Sequence, residues 1–384
     1  MPQSLPSLPV LALAVRRRVL RMLGREPDPF ADVPPGLALS PSARHFTDYG
    51  TAPLKLRFAG GQWPDTAEWQ QQARAKLAEL SGYSHAAAPP EPHHEERFPL
   101  PDGLTRRRLY LRARESVDIP VHLIAPQGAP RPHPVMICLQ GTNTGAHLSW
   151  GEVRFPDDID KRSRGYDLAT QAAQRGYLAI AVEQSCFGER TERQINPRSA
   201  SPCIDATLHA MLLGRSLIGE HCSDVSAVID WIVAQHAALG ADPARIHVMG
   251  HSSGGATAMF SAALDPRIAA VLACGCLGFI RETSGRRRND SGHAVIPGML
   301  NFLEMADVVG LVAPRPFVTI AGETDHIWPA PAAAAVVAEA RAIYAALGAA
   351  DLIACVAQPG GHTFRPAVSW QTFADVLERQ NAAR

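Results

Sequence analysis

Arg245-Ile246-His247-Val248-Met249-Gly250-His251-Ser252-Ser253-Gly254-Gly255-Ala256-Thr257-Ala258-Met259-Phe260-Ser261-Ala262-Ala263-Leu264 is the stretch on which the reading of this chain turns. Its first five residues form an apolar run that predicts a buried strand. Its last ten read as a helix. Between them lies G-x-S-x-G, Gly250 to Gly254. Strand, G-x-S-x-G and helix together describe a nucleophile elbow, in which the chain reverses sharply and the serine sits exposed at the tip. Glycines two residues to either side let the flanking backbones approach without a Cβ clash. The helix N-terminus behind the serine favours developing negative charge. A plain glycine-rich turn is the bland alternative. A phosphate loop is excluded, because Gly255 is followed by Ala256-Thr257 and not by Lys-Ser/Thr.

The downstream chain supplies what the serine needs. On such an elbow the partners follow in the order serine, acid, histidine. Pro314 to Gly322 reads as a strand, and Glu323-Thr324-Asp325-His326 follows it directly. A carboxylate just past the C-terminal end of a parallel strand lies on the ligand-binding edge of the sheet. Asp325 is the expected acid, with Glu323 as its rival. A further strand, Leu352 to Gln358, leads into Pro359-Gly360-Gly361-His362-Thr363-Phe364, ahead of a helix expected over 367–380. His362 is the expected general base. A serine hydroxyl is a weak nucleophile until a base takes its proton. The acid would hold the imidazole in the right tautomer.

A third segment completes this set. The strand Pro134 to Leu139 ends in Gln140-Gly141-Thr142-Asn143-Thr144-Gly145. An oxyanion hole here would take one backbone N–H from Ser253 and one from this loop, for which Thr142 is chosen, flanked by Gln140 and Asn143. Gln140, Gly141 and His251 are candidate substrate contacts. So are Cys186 and Phe187, in the loop Ser185–Arg190 that follows the strand Tyr177–Glu183. A second loop runs from Gly278 to Gly298 after a strand at 268–276. It is a candidate pocket wall, with Ile280 and Ile296 as apolar contacts. Its Arg286-Arg287-Arg288 reads as a solvated charge run, with an anion-binding role as the alternative.

Composition narrows the class. The chain has 384 residues, with 37 Lys+Arg against 37 Asp+Glu, so net charge offers no argument for nucleic acid or an anionic membrane. Seven unclustered cysteines make neither a disulfide framework nor a zinc site. Cys138, Cys274, Cys276 and Cys355 fall in apolar runs, where cysteine behaves as a small hydrophobe. No cofactor or metal motif is present, and His93-His94-Glu95-Glu96 reads as a solvated part of a Pro-rich link. A reduced, cytoplasmic setting is expected. Leu8 to Val15 is apolar but short, and Arg16-Arg17-Arg18 follows rather than precedes it, the reverse of a signal peptide. Residues 11–23 read as a basic amphipathic helix. It would lie on the body, on a partner subunit in a homo-oligomer or, as a lesser alternative, on a membrane surface without spanning it.

Residues 1–90 are read as an N-terminal helical arm, joined through Ala88-Pro89-Pro90-Glu91-Pro92 to a main domain over 91–384. Within the arm, Asp65 to Glu68 resembles a capping box, and Trp69, Ala73, Leu77 and Leu80 share one helical face. In the main domain, Leu104–Arg112 and Ile119–Ala125 alternate like an antiparallel hairpin. Strands and helices then alternate, which predicts an α/β fold with a mostly parallel sheet covered on both faces.

These motifs together resemble a known group. Gly250-His251-Ser252-Ser253-Gly254-Gly255, Ala313-Pro314-Arg315-Pro316, Ala321-Gly322-Glu323-Thr324-Asp325 and Gly360-Gly361-His362 are similar to the dienelactone-hydrolase-like and acetyl-xylan-esterase-like branch of the α/β-hydrolases. Trp69–Leu80 and Leu212–Leu217 are similar to segments ahead of the elbow in the same group. The likeness spans residues 65–384. It implies a Ser-His-Asp carboxylic ester hydrolase without cofactor, acting on small acyl esters such as acetylated sugars or xenobiotic esters. Two departures stand out. Ser252 takes the place of the cysteine of true dienelactone hydrolases, and Gln140-Gly141 stands where many relatives carry His-Gly. The alternatives are a serine peptidase of the prolyl-oligopeptidase type and a non-catalytic binding protein on the same fold. The former shares G-x-S-x-G-G but carries a large β-propeller that 90 residues cannot supply.

Overall fold

The computed structural model describes residues 8–25, 30–59, 61–85, 88–195, 202–287 and 291–382. Among these residues nine strands form one sheet: β1 (Glu91–Pro99), β2 (Thr105–Arg114), β3 (Val117–Ile124), β4 (His133–Leu139), β5 (Leu178–Val182), β6 (Ala241–His251), β7 (Ile268–Cys274), β8 (Phe317–Gly322) and β9 (Ile353–Gln358). Their spatial order is β1-β2-β3-β5-β4-β6-β7-β8-β9. The pairs β1/β2, β2/β3 and β3/β5 are antiparallel, and every pair from β5 onward is parallel. The parallel strands therefore present their C-terminal ends along one edge, where loops can converge on a ligand.

Both faces of the sheet are buried, and the period of two along each strand shows it. Val135, Ile137 and Leu139 of β4 enter one apolar core; Met136 and Cys138 between them enter another. The first core also takes the helices Leu217–Ala234 and Ser253–Leu264, the second the helix Pro366–Ala382. No helix among the described residues is long and apolar enough to cross a membrane.

The division of the chain differs from the expected boundary at residue 90. One compact unit runs Met1–Thr47 and the other Asp48–Arg384. The helix Thr66–Ser81, expected in the arm, belongs to the larger unit because its apolar face is core. Trp69, Ala73 and Leu77 are fully buried, and Gln70 Nε2 donates to the carbonyls of Gly310 and Ala313. Asp65 caps that helix, accepting from the Ala67 and Glu68 amides at 2.8 and 3.4 Å, while the Glu68 side chain accepts from Gln72 Nε2 and does not close the expected capping box. Within the smaller unit, the basic segment is helical over Leu8–Met22.

The link around residues 88–96 is also revised, since Glu91–Pro99 is an edge strand. Arg107 forks onto Glu95 with two bonds of 2.9 Å, Arg108 pairs with Glu96, and His93 Nε2 meets Asp118 at 2.9 Å. Charge on an edge strand discourages pairing with other chains. The apolar alternation that flags a strand is missing there because both flanks of β1 are wet.

Candidate active site

Ser252 sits at the tip of the β6–helix turn with φ 58° and ψ −122°. A non-glycine residue pays for such backbone geometry with strain that the surroundings must hold. They do so by hydrogen bonds and close packing. The Ser252 amide donates to Cys274 O and the Ala256 amide to Ser252 O, both at 2.9 Å. A Cβ on Gly250 would lie 2.3 Å from the Gly254 carbonyl, and one on Gly254 would lie 2.1 Å from Leu139 O. Only glycine fits either position.

Ser252 Oγ donates to His362 Nε2 at 2.9 Å, and His362 Nδ1 donates to Asp325 Oδ2 at 2.7 Å. The three residues come from the C-terminal ends of β6, β9 and β8. Asp325 Oδ1 accepts from the amides of Ile327 and Trp328 at 2.8 and 2.9 Å. Burial alone would raise this carboxyl. The His362 hydrogen bond and those two amides outweigh burial and hold it below the ordinary carboxylate range. Glu323, the rival acid, is exposed, and only its backbone is tied down, to Gln358 O at 2.8 Å. The geometry assembles Asp325, not Glu323, with the histidine.

His251 is buried with its ring 4.7 Å from that of His362. Burial first, and the neighbouring His362 second, keep its pKa well below the ordinary value, so it stays neutral. Tyr166 connects it to the histidine loop. The Tyr166 hydroxyl lies 3.4 Å from His251 Nδ1 and accepts from the Phe364 amide at 3.2 Å.

The loop after β4 passes against the elbow. A Cβ on Gly141 would meet His251 O at 2.8 Å and Ser252 Cβ at 3.3 Å. Thr142 Oγ1 donates to Ser253 Oγ at 3.2 Å, which brings the two candidate oxyanion residues side by side. Ser253 opens its helix, so its amide has no intrahelical acceptor. The Thr142 amide has no acceptor among the described residues.

Gln140 is held behind this loop by its Nε2 and its carbonyl and does not line the cavity. Its Nε2 donates to Glu183 Oε1 at 2.7 Å, and its carbonyl accepts from Gln184 Nε2 at 2.6 Å. Gln184 Oε1 in turn accepts from Thr257 Oγ1 of the elbow helix at 2.7 Å. Glu183, at the end of β5, also accepts from the Ala146 amide at 2.9 Å and the Glu189 amide at 3.3 Å. Gly188 makes room for it, since a Cβ there would lie 2.0 Å from Glu183 Oε2. Burial pushes the Glu183 carboxyl up to about 7, against the pull of those amides. This residue closed the expected strand Tyr177–Glu183, yet nothing local marked it as a clamp on a loop more than 35 residues earlier.

A cavity of about 530 Å³ opens on Ser252 and His362. Gly141, Thr142, Asn143 and His251 line it, as do Ile280 and Ile296 of the Gly278–Gly298 loop. Tyr166, Trp328 and His293 join them, none of which the sequence flagged. Gln140, Cys186 and Phe187 do not line it. Cys186 and Phe187 are buried in a separate small cluster with Cys203 and Leu217. The turn explains why: the Cys186 amide donates to Arg190 O and the Phe187 amide to Gln184 O, folding both side chains into the body. Of the three arginines, Arg287 lines the cavity, Arg286 is exposed, and Arg288 lies outside the described residues.

Known proteins match both the fold and part of the sequence. YtaP of Bacillus subtilis, classed as a hydrolase, is 26% identical over 190 residues, 49% of this chain; the chain spans 60% of that protein's length. A structure assigned as an acetyl xylan esterase of Bacteroides fragilis superposes with a TM-score of 0.68 at 21% identity, covering 85% of this chain and 84% of the other. A glucuronoyl esterase of Solibacter usitatus gives 0.65 at 16% identity, covering 85% and 97%. At these identities the superpositions speak for the fold. A sequence model of the Abhydrolase family matches residues 61–341, a span holding both the elbow and Asp325, and this chain therefore belongs to that α/β-hydrolase family.

Proposed function

We propose that this protein is a serine-dependent carboxylic ester hydrolase for small acyl esters. The observation that carries the reading is the unbroken relay from Ser252 Oγ through His362 to Asp325, opening on a cavity of molecular size. Ser252 Oγ attacks the ester carbonyl carbon as its proton passes to His362 Nε2, and Asp325 stabilises the imidazolium. The carbonyl oxygen becomes an oxyanion between the amides of Ser253 and Thr142. The C–O bond to the alcohol then breaks, and the alcohol leaves with the proton from His362. Water, deprotonated by His362, attacks the acyl-serine; the acid departs and Ser252 regains its proton. Relatives of this fold described as an acetyl xylan esterase and a glucuronoyl esterase support an ester of a sugar or similar small polar alcohol.

The test is labelling by a fluorophosphonate together with hydrolysis of a p-nitrophenyl ester series from acetate to decanoate. Wild type is expected to label and to turn over the short esters, and Ser252→Ala to do neither. Asp325→Asn should lower kcat by roughly 10⁴ while Glu323→Gln has little effect. Retention of a tenth of kcat in Ser252→Ala, in folded protein, would overturn the assignment.

A further inference from the structure

His293 lines the Ser252 cavity and is otherwise buried, with 4% of its surface exposed. A chain of hydrogen bonds that starts behind the cavity fixes where its ring proton sits. Gln140 O can only accept, so the group of Gln184 that meets it at 2.6 Å is the amide NH₂. Gln184 Oε1 therefore faces Thr257 Oγ1 at 2.7 Å, a separation that two oxygens hold only with a proton between them. That proton is the single one of the Thr257 hydroxyl. Ser253 O, 3.1 Å from Thr257 Oγ1, is a further pure acceptor. Thr257 thus has no proton to give His293 Nε2, which lies 3.3 Å away, and the ring must donate there.

A neutral imidazole carries one N–H. Burial first, and the neighbouring His221 second, hold the His293 pKa well below its ordinary value, so the ring is neutral. The two rings pack with centres 5.2 Å apart. With its proton on Nε2, His293 keeps Nδ1 as a bare acceptor, and no described residue donates to it. No Asp or Glu is among the residues lining the cavity, so no carboxylate competes there for the proton of a hydroxyl group. An acceptor left unpaired at a buried position costs free energy, and a site built to hydrogen-bond a hydroxyl rejects the analogue that lacks one.

Building on the ester-hydrolase reading, we propose that His293 selects esters bearing a free hydroxyl group, which donates to His293 Nδ1 as Ser252 attacks the ester carbonyl. Two ladders of esters test this on either side of the scissile bond. One runs through ω-hydroxyalkyl acetates from hydroxyethyl to hydroxyhexyl, the other through methyl ω-hydroxyalkanoates of matching length. Each member is compared with its twin that has a methyl group in place of the hydroxyl. The reading is the ratio of kcat/KM, hydroxyl over methyl, in wild type and His293→Phe, so that any general loss of activity cancels. At one chain length or more the wild-type ratio is expected to exceed that of His293→Phe about tenfold, the worth of one hydrogen bond to a buried acceptor. Equal ratios in the two proteins at every length, in both ladders, would overturn the proposal and leave the hydrolase reading intact.

A second readout needs neither turnover nor the variant. In Ser252→Ala protein labelled with ¹⁵N in its histidine rings, His293 should show the neutral form protonated on Nε2. Its Nδ1 signal should move on addition of the preferred hydroxyl ester and stay in place with the methyl twin. A ring protonated on Nδ1, or an Nδ1 signal that no hydroxyl ester of either ladder moves, would overturn the site. Failure of the hydrolase reading has a different signature: no turnover of any ester and no fluorophosphonate labelling of wild type. The ring signals then decide the hydroxyl site by themselves.

Discussion

Two loops follow neighbouring regions of the same sheet edge, and the structure uses them in opposite ways. The Ser185–Arg190 loop after β5 turns inward. Its Cys186 and Phe187 are buried, Arg190 pairs with Asp224 at 2.7 Å, and the Glu189 amide binds Glu183. The Gly278–Gly298 loop after β7 is anchored near its start by Glu304, which accepts from the Ile280 and Arg281 amides at 3.1 Å, and then forms the cavity wall. The first loop packs behind the site; the second lines its cavity. The difference lies in what each backbone is tied to. Both loops give amides to a buried carboxylate, Glu183 in the first and Glu304 in the second, but the first also closes its own turn, the Cys186 amide on Arg190 O and the Phe187 amide on Gln184 O, and so folds Cys186 and Phe187 into the body.

The comparison is broken most directly at the loop that the first one braces. Gly141→Ala puts a methyl group 2.8 Å from His251 O and should push the Thr142 amide off the oxyanion position. A fall in kcat of about 10²-fold or more is expected for every ester, the cost of losing one oxyanion donor. A shift confined to KM would show that Thr142 does not serve the oxyanion.

Glu183→Gln asks whether bracing matters from one step further back. The carboxylate receives only donors, so an amide NH₂ in its place must face one of them. We expect kcat to fall roughly tenfold across the ester series, at the cost of about 1–3 kcal/mol of stability. The same variant has a pH signature. The folded pKa near 7 lies above the ordinary carboxyl value, so this group's stabilising contribution is complete in acid and lost as pH rises toward 7. Wild type should therefore lose up to roughly 3 kcal/mol relative to Glu183→Gln between pH 4.5 and 7, read by denaturant melts. A flat difference would mean that Glu183 ionises as freely as in water.

Replacing residues 284–297 by a short glycine-containing turn tests the other loop. KM should rise about tenfold for the longer esters, with chain-length preference altered and kcat for acetate little changed, the pattern of lost binding with the chemistry intact. An unchanged ester profile in folded protein would remove this loop from the pocket. The smallest effect is expected at Phe187→Leu. Its buried ring should contribute about 1 kcal/mol over leucine to stability, with no change in ester preference. A changed preference there would restore the first loop to the pocket wall.

The sequence by itself determined the elbow, the order Ser252–Asp325–His362 and the strands that carry them. Those features are mostly local: Gly250 is demanded by its approach to the Gly254 carbonyl within a single turn, although Gly254 answers to the distant strand end at Leu139, and an acid or a histidine at a strand end is placed by the strand it follows. The tertiary structure decided the rest. Thr66–Ser81 is core because Trp69 meets residues over two hundred positions away, and β1 is a strand because it pairs with β2, where Arg107 and Arg108 bind Glu95 and Glu96. Glu183 acquires its surroundings only when separate loops converge on one sheet edge. Which loop folds into the body, and which lines the cavity, is set by contacts between distant segments, and no window of neighbouring residues contains them.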